Sequence, residues 1–277
     1  MKSSAKKIEL ASVDDLFSTE EGRQDAKLEK IQEIPLSELH PFKNHPFKVK
    51  DDEAMMETAD SIKQYGVLVP AIARPDPEGG YELVAGHRRH RASELAEKET
   101  MPVIVRDLDD DAATIIMVDS NLQRESLLPS ERAFAYKMKA EALAHQGWRT
   151  DLTSRQLVPK SDDNRTTAQI GADTGDSYKT VQRYIRLTNL IPEILRYVDE
   201  GRISFTPAVE LSYLNEQEQY DLLEQMELND CTPSLSQACR FKKLSQEDGL
   251  TPEVIATIMS EEKANQREMF KVPMERM

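Results

Sequence analysis

Hydrophobic positions show no sustained period through residues 1–30, which predicts a flexible N-terminal arm. From Ile31 they gather into short groups. IQEIPL at 31–36 reads as a strand, and the proline-containing HPFKNHPFKV at 40–49 as an irregular loop. Asp51 is placed to cap a helix in which Met55, Ala59 and Ile62 share one face, and Gly66 ends it. Two short β-like runs, VPAIARP at 69–75 and YELVA at 81–85, flank a Pro-Glu-Gly-Gly turn. A second helix opens at Gly86 and reaches about Glu97, and MPVIVRDL at 101–108 is a further strand.

After Asp109 the period is helical almost throughout. One helix is predicted over 110–123. A second starts at Pro129, which a first helical position tolerates, with Phe134, Met138 and Ala142 at four-residue steps. The polar stretch from Thr150 to Thr166 reads as a long loop or insertion. Further helices are expected over 167–174, 177–188, 192–200, 207–214, 216–226, 234–244 and 252–262. Strands confined to 31–107 with helices beyond them predict an α+β chain. Its parts are a small α/β domain over 31–125, an all-α domain over 126–250 and a helical extension over 251–277.

The chain has 277 residues, 39% hydrophobic and 31% charged, enough for a core under a heavily charged surface. No run approaches the roughly 18 apolar residues of a membrane helix, and MKSSAKKIELASVDDL has no signal-peptide core. Cys231 and Cys239 are too few and too local for a disulfide scaffold. A soluble, cytoplasmic protein is expected. The net charge of −14 argues against a nucleic-acid binder until its distribution is considered. Residues 191–230 carry 2 basic and 10 acidic side chains. By contrast, 86–91 (GHRRHR) and 177–188 (SYKTVQRYIRLT) each carry three basic residues and no acid.

Three segments carry candidate chemistry. In Gly86-His87-Arg88-Arg89-His90-Arg91-Ala92, arginines crowd the start of a helix, where the partial positive charge of the helix disfavours them. A bound anion would resolve the conflict, sharing backbone N–H groups and guanidinium forks; pairing with nearby carboxylates would resolve it equally well. His87 and His90 have no accompanying ligand spacing for a metal. In Asp119-Ser120-Asn121-Leu122-Gln123-Arg124-Glu125, Asn121 offers a neutral oxygen to a hard cation such as Mg²⁺, although ordinary capping at a helix end also accounts for the segment. In Thr167–Leu187, Gly171, the turn glycine Gly175 and Val181 fit a helix-turn-helix, with Ser177 as the N-cap of its second helix. Lys179, Gln182, Arg183 and Arg186 then form one basic face, with Tyr178, Val181, Tyr184 and Ile185 opposite. Segregated charge together with the glycine spacing favours double-stranded DNA reading over a generic helical hairpin.

Phosphate-loop, dinucleotide-fingerprint, G-x-S-x-G and H-E-x-x-H motifs are all missing from the sequence. Taken in order, the boxes instead resemble the ParB family of chromosome and plasmid partition proteins, over roughly 31–230. The resemblance runs through Gly66-Val67-Leu68-Val69-Pro70-Ala71-Ile72, the arginine box and Ser120-Asn121-Leu122-Gln123-Arg124-Glu125. It continues with Leu128-Pro129-Ser130-Glu131, the helix-turn-helix and Gly201-Arg202-Ile203-Ser204.

The resemblance implies a ParB-like N-terminal domain that binds CTP with Mg²⁺, followed by a helix-turn-helix domain that binds a centromere-like site and promotes closure into a clamp. Gly86, Arg88 and Arg89 would hold the triphosphate, Asn121 would ligate the metal and Arg124 would support that segment. The DNA-binding set would be Ser177, Tyr178, Lys179, Thr180, Gln182, Arg183 and Arg186. Implied partners are double-stranded DNA, a second copy of the chain and a ParA-type ATPase. The chain would act on the nucleoid or a plasmid, away from membranes.

Three positions depart from the family pattern: His87 and Ser120 stand where glutamates are usual, and Val69 where glutamine is. These departures imply that nucleotide binding survives while CTP hydrolysis is slow or absent. The other reading is a helix-turn-helix transcriptional or nucleoid-associated regulator that no longer uses nucleotide. Family members typically end in a separate dimerisation domain, whereas here the helical pattern continues nearly to the end, which implies either a truncated chain or a divergent branch from a plasmid or mobile element. An enzyme of the sulfiredoxin type is set aside, because the arginine box holds His87 and no cysteine precedes Cys231.

Overall fold

The computed structural model describes residues 30–124, 127–153 and 163–261. The predicted arm, the middle of the polar stretch (154–162) and the segment from 262 onward lie outside the described residues. The chain divides into two compact units. One comprises the described residues up to Lys43 together with Val49–Leu108; the other comprises Asn44–Lys48 and the described residues from Asp109 onward.

The first unit is a mixed five-stranded sheet with two helices. Its elements are β1 (Ile31–Pro35), β2 (Leu39–Pro41), α1 (Glu53–Tyr65), β3 (Ala71–Pro75), β4 (Tyr81–Ala85), α2 (His87–Leu95) and β5 (Thr100–Val105). The strands lie in the order β1-β5-β3-β4-β2. The pairs β1/β5 and β3/β4 are antiparallel, whereas β3/β5 and β2/β4 are parallel. The three-residue β2 falls at the start of the expected loop; its proline is tolerated because the strand lies at the sheet edge. Ile34, Leu39, Ala71, Ala73, Leu83, Met101 and Val103 form the sheet's buried cluster. Met55, Ala59 and Ile62 of α1 pack with Ala92 and Ala96 at the end of α2, so the expected face of α1 is the buried one.

The cap of α1 is Asp52, one residue beyond the expected Asp51. Asp52 accepts the Met55 N–H at 2.9 Å. Asp51 is taken by Arg91, whose Nε and Nη2 donate to its two oxygens at 3.0 and 2.6 Å. That bond holds the Asp51 carboxyl below its ordinary range. Gly66 terminates α1 at φ 75°, a conformation that favours glycine.

The second unit is all helical: α3 (Asp110–Leu122), α4 (Pro129–Thr153), α5 (Asp163–Thr174), α6 (Tyr178–Leu187), α7 (Pro192–Asp199), α8 (Phe205–Leu211), α9 (Glu216–Leu228), α10 (Leu235–Gln246) and α11 (Pro252–Met259). Helix α3 packs along α4, which places the unit boundary at Leu108–Asp109, ahead of the expected domain limit at 125. Part of the expected loop at 150–166 is helical, because α4 continues to Thr153 and α5 begins at Asp163. In α4 the buried face holds Ala133, Tyr136, Lys139 and Ala142; of the expected row Ala142 is buried and Met138 half-buried, whereas Phe134 is 40% exposed. Ser177, Asn215, Ser234 and Thr251 cap α6, α9, α10 and α11, and α9 and α10 close reciprocal capping boxes through Glu218 and Gln237.

Candidate functional site

Strand β4 delivers the chain into α2 through Gly86, at φ 111°. A side chain there would bring Cβ to 2.9 Å from the Ala71 Cβ and 3.3 Å from Arg89 Nη2, so the turn requires glycine on both conformational and steric grounds. No side chain caps α2 and its first turn holds no acid, the setting in which a helix N-terminus suits an anion.

The arginines that follow have separate fates. Arg91 is committed to Asp51 and to Glu94 at 3.0 Å. Arg88 reaches Asp52 only at 3.5 Å, sharing an oxygen already occupied by the α1 cap. Arg89 donates through Nη1 to the Val69 and Pro70 carbonyls at 2.6 and 2.7 Å, and has no carboxylate partner among the described residues. Burial pulls its pKa below the ordinary value, although a guanidinium stays charged at any physiological pH. The arginines thus differ: Arg91 has its counter-charge, whereas Arg89 is held by neutral carbonyls and has no counter-charge among the described residues. Those carbonyls belong to the segment in which Val69 replaces the usual glutamine. Their part in aiming Arg89 has no signature in side-chain identity.

His87 is buried, and its Nε2 accepts the Phe42 N–H at 3.3 Å. His90 Nε2 lies 3.3 Å from the Leu36 carbonyl. Both imidazoles contact backbone of segments 45 and 54 residues earlier, and among the described residues no group of three His, Cys, Asp or Glu side chains could hold a metal.

Asn121 and Arg124 fall in the second unit, with α3. Asn121 is 3% exposed, and its Nδ2 donates to the Met117 carbonyl at 2.8 Å and to Ser120 Oγ at 3.3 Å. Because a carbonyl can only accept, the amide nitrogen must face it, leaving Oδ1 without a partner among the described residues. A lone amide oxygen suits a hydrated Mg²⁺, which takes few protein ligands. Arg124 donates its backbone N–H to the Asn121 carbonyl at 3.1 Å, and its charge helps keep the His45 pKa low, behind the larger effect of burial.

In the helix-turn-helix, Ser177 caps α6 by accepting the Thr180 N–H at 3.1 Å. Ser177, Tyr178 and Lys179 are exposed, Thr180 is half-buried, and Gln182, Arg183 and Arg186 are half-buried further along. Val181 is buried against Tyr136 and Ile170, with Tyr184 and Ile185 packed beside it. Tyr178 was expected on that face and is instead 43% exposed at the start of the helix.

The two arginines lean on α8 and its C-terminal turn. Arg183 donates to Thr206 Oγ1 at 3.0 Å and lies 4.9 Å from the Phe205 ring centroid. Arg186 donates to the Ser212 carbonyl at 3.1 Å and stacks 3.9 Å from the Tyr213 ring. The four supporting residues lie beyond the reach of helical spacing, so the sequence reading missed them. What the helix presents most openly is its N-terminal end, the part with which such helices commonly read base edges.

Comparison with known proteins bears on both units. The ParB N-terminal domain model matches residues 20–122, and the ParB HTH domain model matches 160–232. The chain belongs to the ParB family. Among ParB relatives, stage 0 sporulation protein J of Bacillus subtilis (strain 168) is 36% identical over 180 residues, covering 65% of this chain and 56% of that protein. The chain thus spans about half the length of the curated relatives it matches. Two solved structures of the C-terminally truncated chromosome-partitioning protein ParB from Caulobacter crescentus are also similar. The one complexed to the centromeric parS site is 25% identical, covers 78% of this chain and 99% of its own, and has a TM-score of 0.44. The one complexed with CTP-gamma-S is 28% identical, covers 72% and 99%, and has a TM-score of 0.33.

Proposed function

We propose that the chain is a sequence-specific DNA-binding partition protein that binds CTP with Mg²⁺. The observation that carries the nucleotide half is the start of α2. It combines an uncapped helix N-terminus, a glycine that no other residue can replace without collision, and Arg89 without a carboxylate counter-charge. Gly86, Arg88 and Arg89 would hold the phosphates. Asn121 would offer Oδ1 to the metal, with Arg124 supporting its segment. A bound Mg²⁺ would neutralise phosphate charge and orient the oxygens. The DNA half rests on family membership and on the exposed end of α6, with Ser177, Tyr178, Lys179 and Thr180 toward DNA and Gln182, Arg183 and Arg186 behind them. Under this reading the partners are the DNA site, a second copy of the chain and a ParA-type ATPase.

Hydrolysis is weak in this proposal. His87 occupies a position where family members usually carry a glutamate, and its Nε2 lone pair is already engaged by the Phe42 N–H. Ser120 occupies the other such position and donates its hydroxyl to the Met117 carbonyl at 2.9 Å. Neither supplies a general base. The test is phosphate release from CTP with Mg²⁺ and cognate DNA, beside His87→Glu. Release by the wild type at ordinary family rates overturns this part of the reading. DNA binding is tested separately by fluorescence anisotropy across salt concentrations. Lys179→Ala should lower affinity, with either a flatter salt slope for a phosphate contact or relaxed specificity at one base for a base contact. Wild-type affinity and specificity in that variant would remove Lys179 from the interface.

A further inference from the structure

Among the described residues of the second unit, the most deeply buried cation has no part in the proposal so far. Lys139, in the middle of α4, is 1% exposed. Its ammonium donates to Asp119 Oδ1 of α3 at 2.6 Å and to Asp173 Oδ2 of α5 at 2.7 Å. Burial by itself would lower the Lys139 pKa, but the two carboxylates outweigh it and hold the group above its ordinary value. Both carboxylates are about half exposed, at 47% and 49%, so each could find water without the lysine. A buried ion pair of this kind is commonly no better for stability than an apolar side chain of similar size, and its best-attested use is to fix geometry.

The two ends of the bridge are placed for that role. Asp119 lies two residues before Asn121 on the same helix, and Asp173 lies in the last turn of the first helix of the helix-turn-helix. From there the turn leads through Asp176, which accepts the Tyr136 hydroxyl at 2.5 Å, to the Ser177 cap of α6. We infer that Lys139 is a positioning residue that couples the Asn121 segment to the DNA-reading helix pair through its two carboxylates. This rests on the nucleotide and DNA reading above and adds to it a route within a single unit. Coupling is reciprocal: if DNA tightens CTP binding by some factor, CTP tightens DNA binding by the same factor.

The test measures CTP affinity with and without cognate DNA, in Mg²⁺, for the full chain and for Lys139→Met, which keeps an unbranched apolar stem. The wild type should show a coupling factor of about 5 or more, within the usual range for allosteric pairs. In Lys139→Met the separate affinities should stay within about twofold while the factor falls below about 2, a pattern that general loosening of the fold would not produce. Asp173→Asn, altered at a half-exposed carboxylate, should show the same loss and serves if Lys139→Met does not fold. An unchanged factor in a folded variant overturns the inference, as does a wild type that binds CTP without responding to DNA. A wild type that binds no CTP at all removes the nucleotide reading and the coupling with it, which separates that failure from the other two.

Discussion

Replacing Gly171 by alanine sets two physical effects against each other in the helix-turn-helix. Gly171 lies inside α5, where alanine is better than glycine by about 1 kcal/mol, so helix propensity alone predicts a gain. The structure predicts a loss. A Cβ at Gly171 would collide with the Asp176 carbonyl oxygen and come within 3.4 Å of the Tyr178 nitrogen. The obstacle is backbone, not a side chain that could swing aside. It also sits in a turn anchored by the Tyr136 hydroxyl on the Asp176 carboxylate and by Arg132 at 3.8 Å. Overpacking of this kind costs about 1–3 kcal/mol. An immovable neighbour puts the cost near the top of that range, so the net destabilisation is about 2 kcal/mol. Gly175→Ala is the control: it has open space but sits at φ +78°, so it should lose only the ~1–2 kcal/mol of left-handed strain. Urea denaturation followed by circular dichroism, with both variants beside the wild type, reads the difference. A Gly171→Ala protein as stable as the wild type, or more so, would refute the argument that close approach of α5 to the turn sets this residue.

Arg186→Met should cost about 2 kcal/mol of stability, because it removes a charged hydrogen bond to the Ser212 carbonyl and the stack on Tyr213. Lys179→Met, altered at an exposed position, should move the urea midpoint by less than about 0.5 kcal/mol equivalent while weakening DNA binding; equal stability losses would contradict the division of α6 into a presented and a supported end. Burial first, and then the Asp176 hydrogen bond, push the Tyr136 phenol up to about 12. A folded pKa above the ordinary value of about 10 means that stability from the neutral phenol is full below that pH and is lost as pH rises toward 12. An ultraviolet titration of phenolate should therefore contain one late component that Tyr136→Phe lacks, and identical curves would contradict it. Asp52→Ala should cost about 1 kcal/mol through the lost cap, whereas Asp51→Ala leaves the cap bond in place; a reversed order would restore Asp51 as the cap.

Element ends were legible wherever a local signal marks them. Gly66 closes α1, Gly86 opens α2 and Ser177 opens α6, and each does so through the conformation or hydrogen bond its residue type favours. Signals that depend on a distant partner were not. Asp51 and Asp52 are equivalent caps until Arg91 claims one of them, 40 residues away. The face of α4 is chosen by its neighbours, so Phe134 is left outside while Ala133 and Tyr136 are buried. Charge periodicity gathers Lys179, Gln182, Arg183 and Arg186 onto one face of α6. It could not show that Arg183 and Arg186 lean on residues 23 and 26 positions further along. Likewise, the arginine box left anion binding and carboxylate pairing open, because nothing in its spacing reveals that Arg91 is already paired and that backbone carbonyls hold Arg89.

The central claim is that the start of α2 holds a nucleotide through Arg89. Its most direct test is equilibrium binding of CTP in Mg²⁺ by the full chain, with ATP, GTP and UTP as controls, for wild type and Arg89→Ala. The account predicts CTP-selective binding that the variant loses while its fold, checked by circular dichroism, persists. Absence of binding to any nucleotide, with or without DNA, would contradict it and leave the helix-turn-helix to carry the function alone.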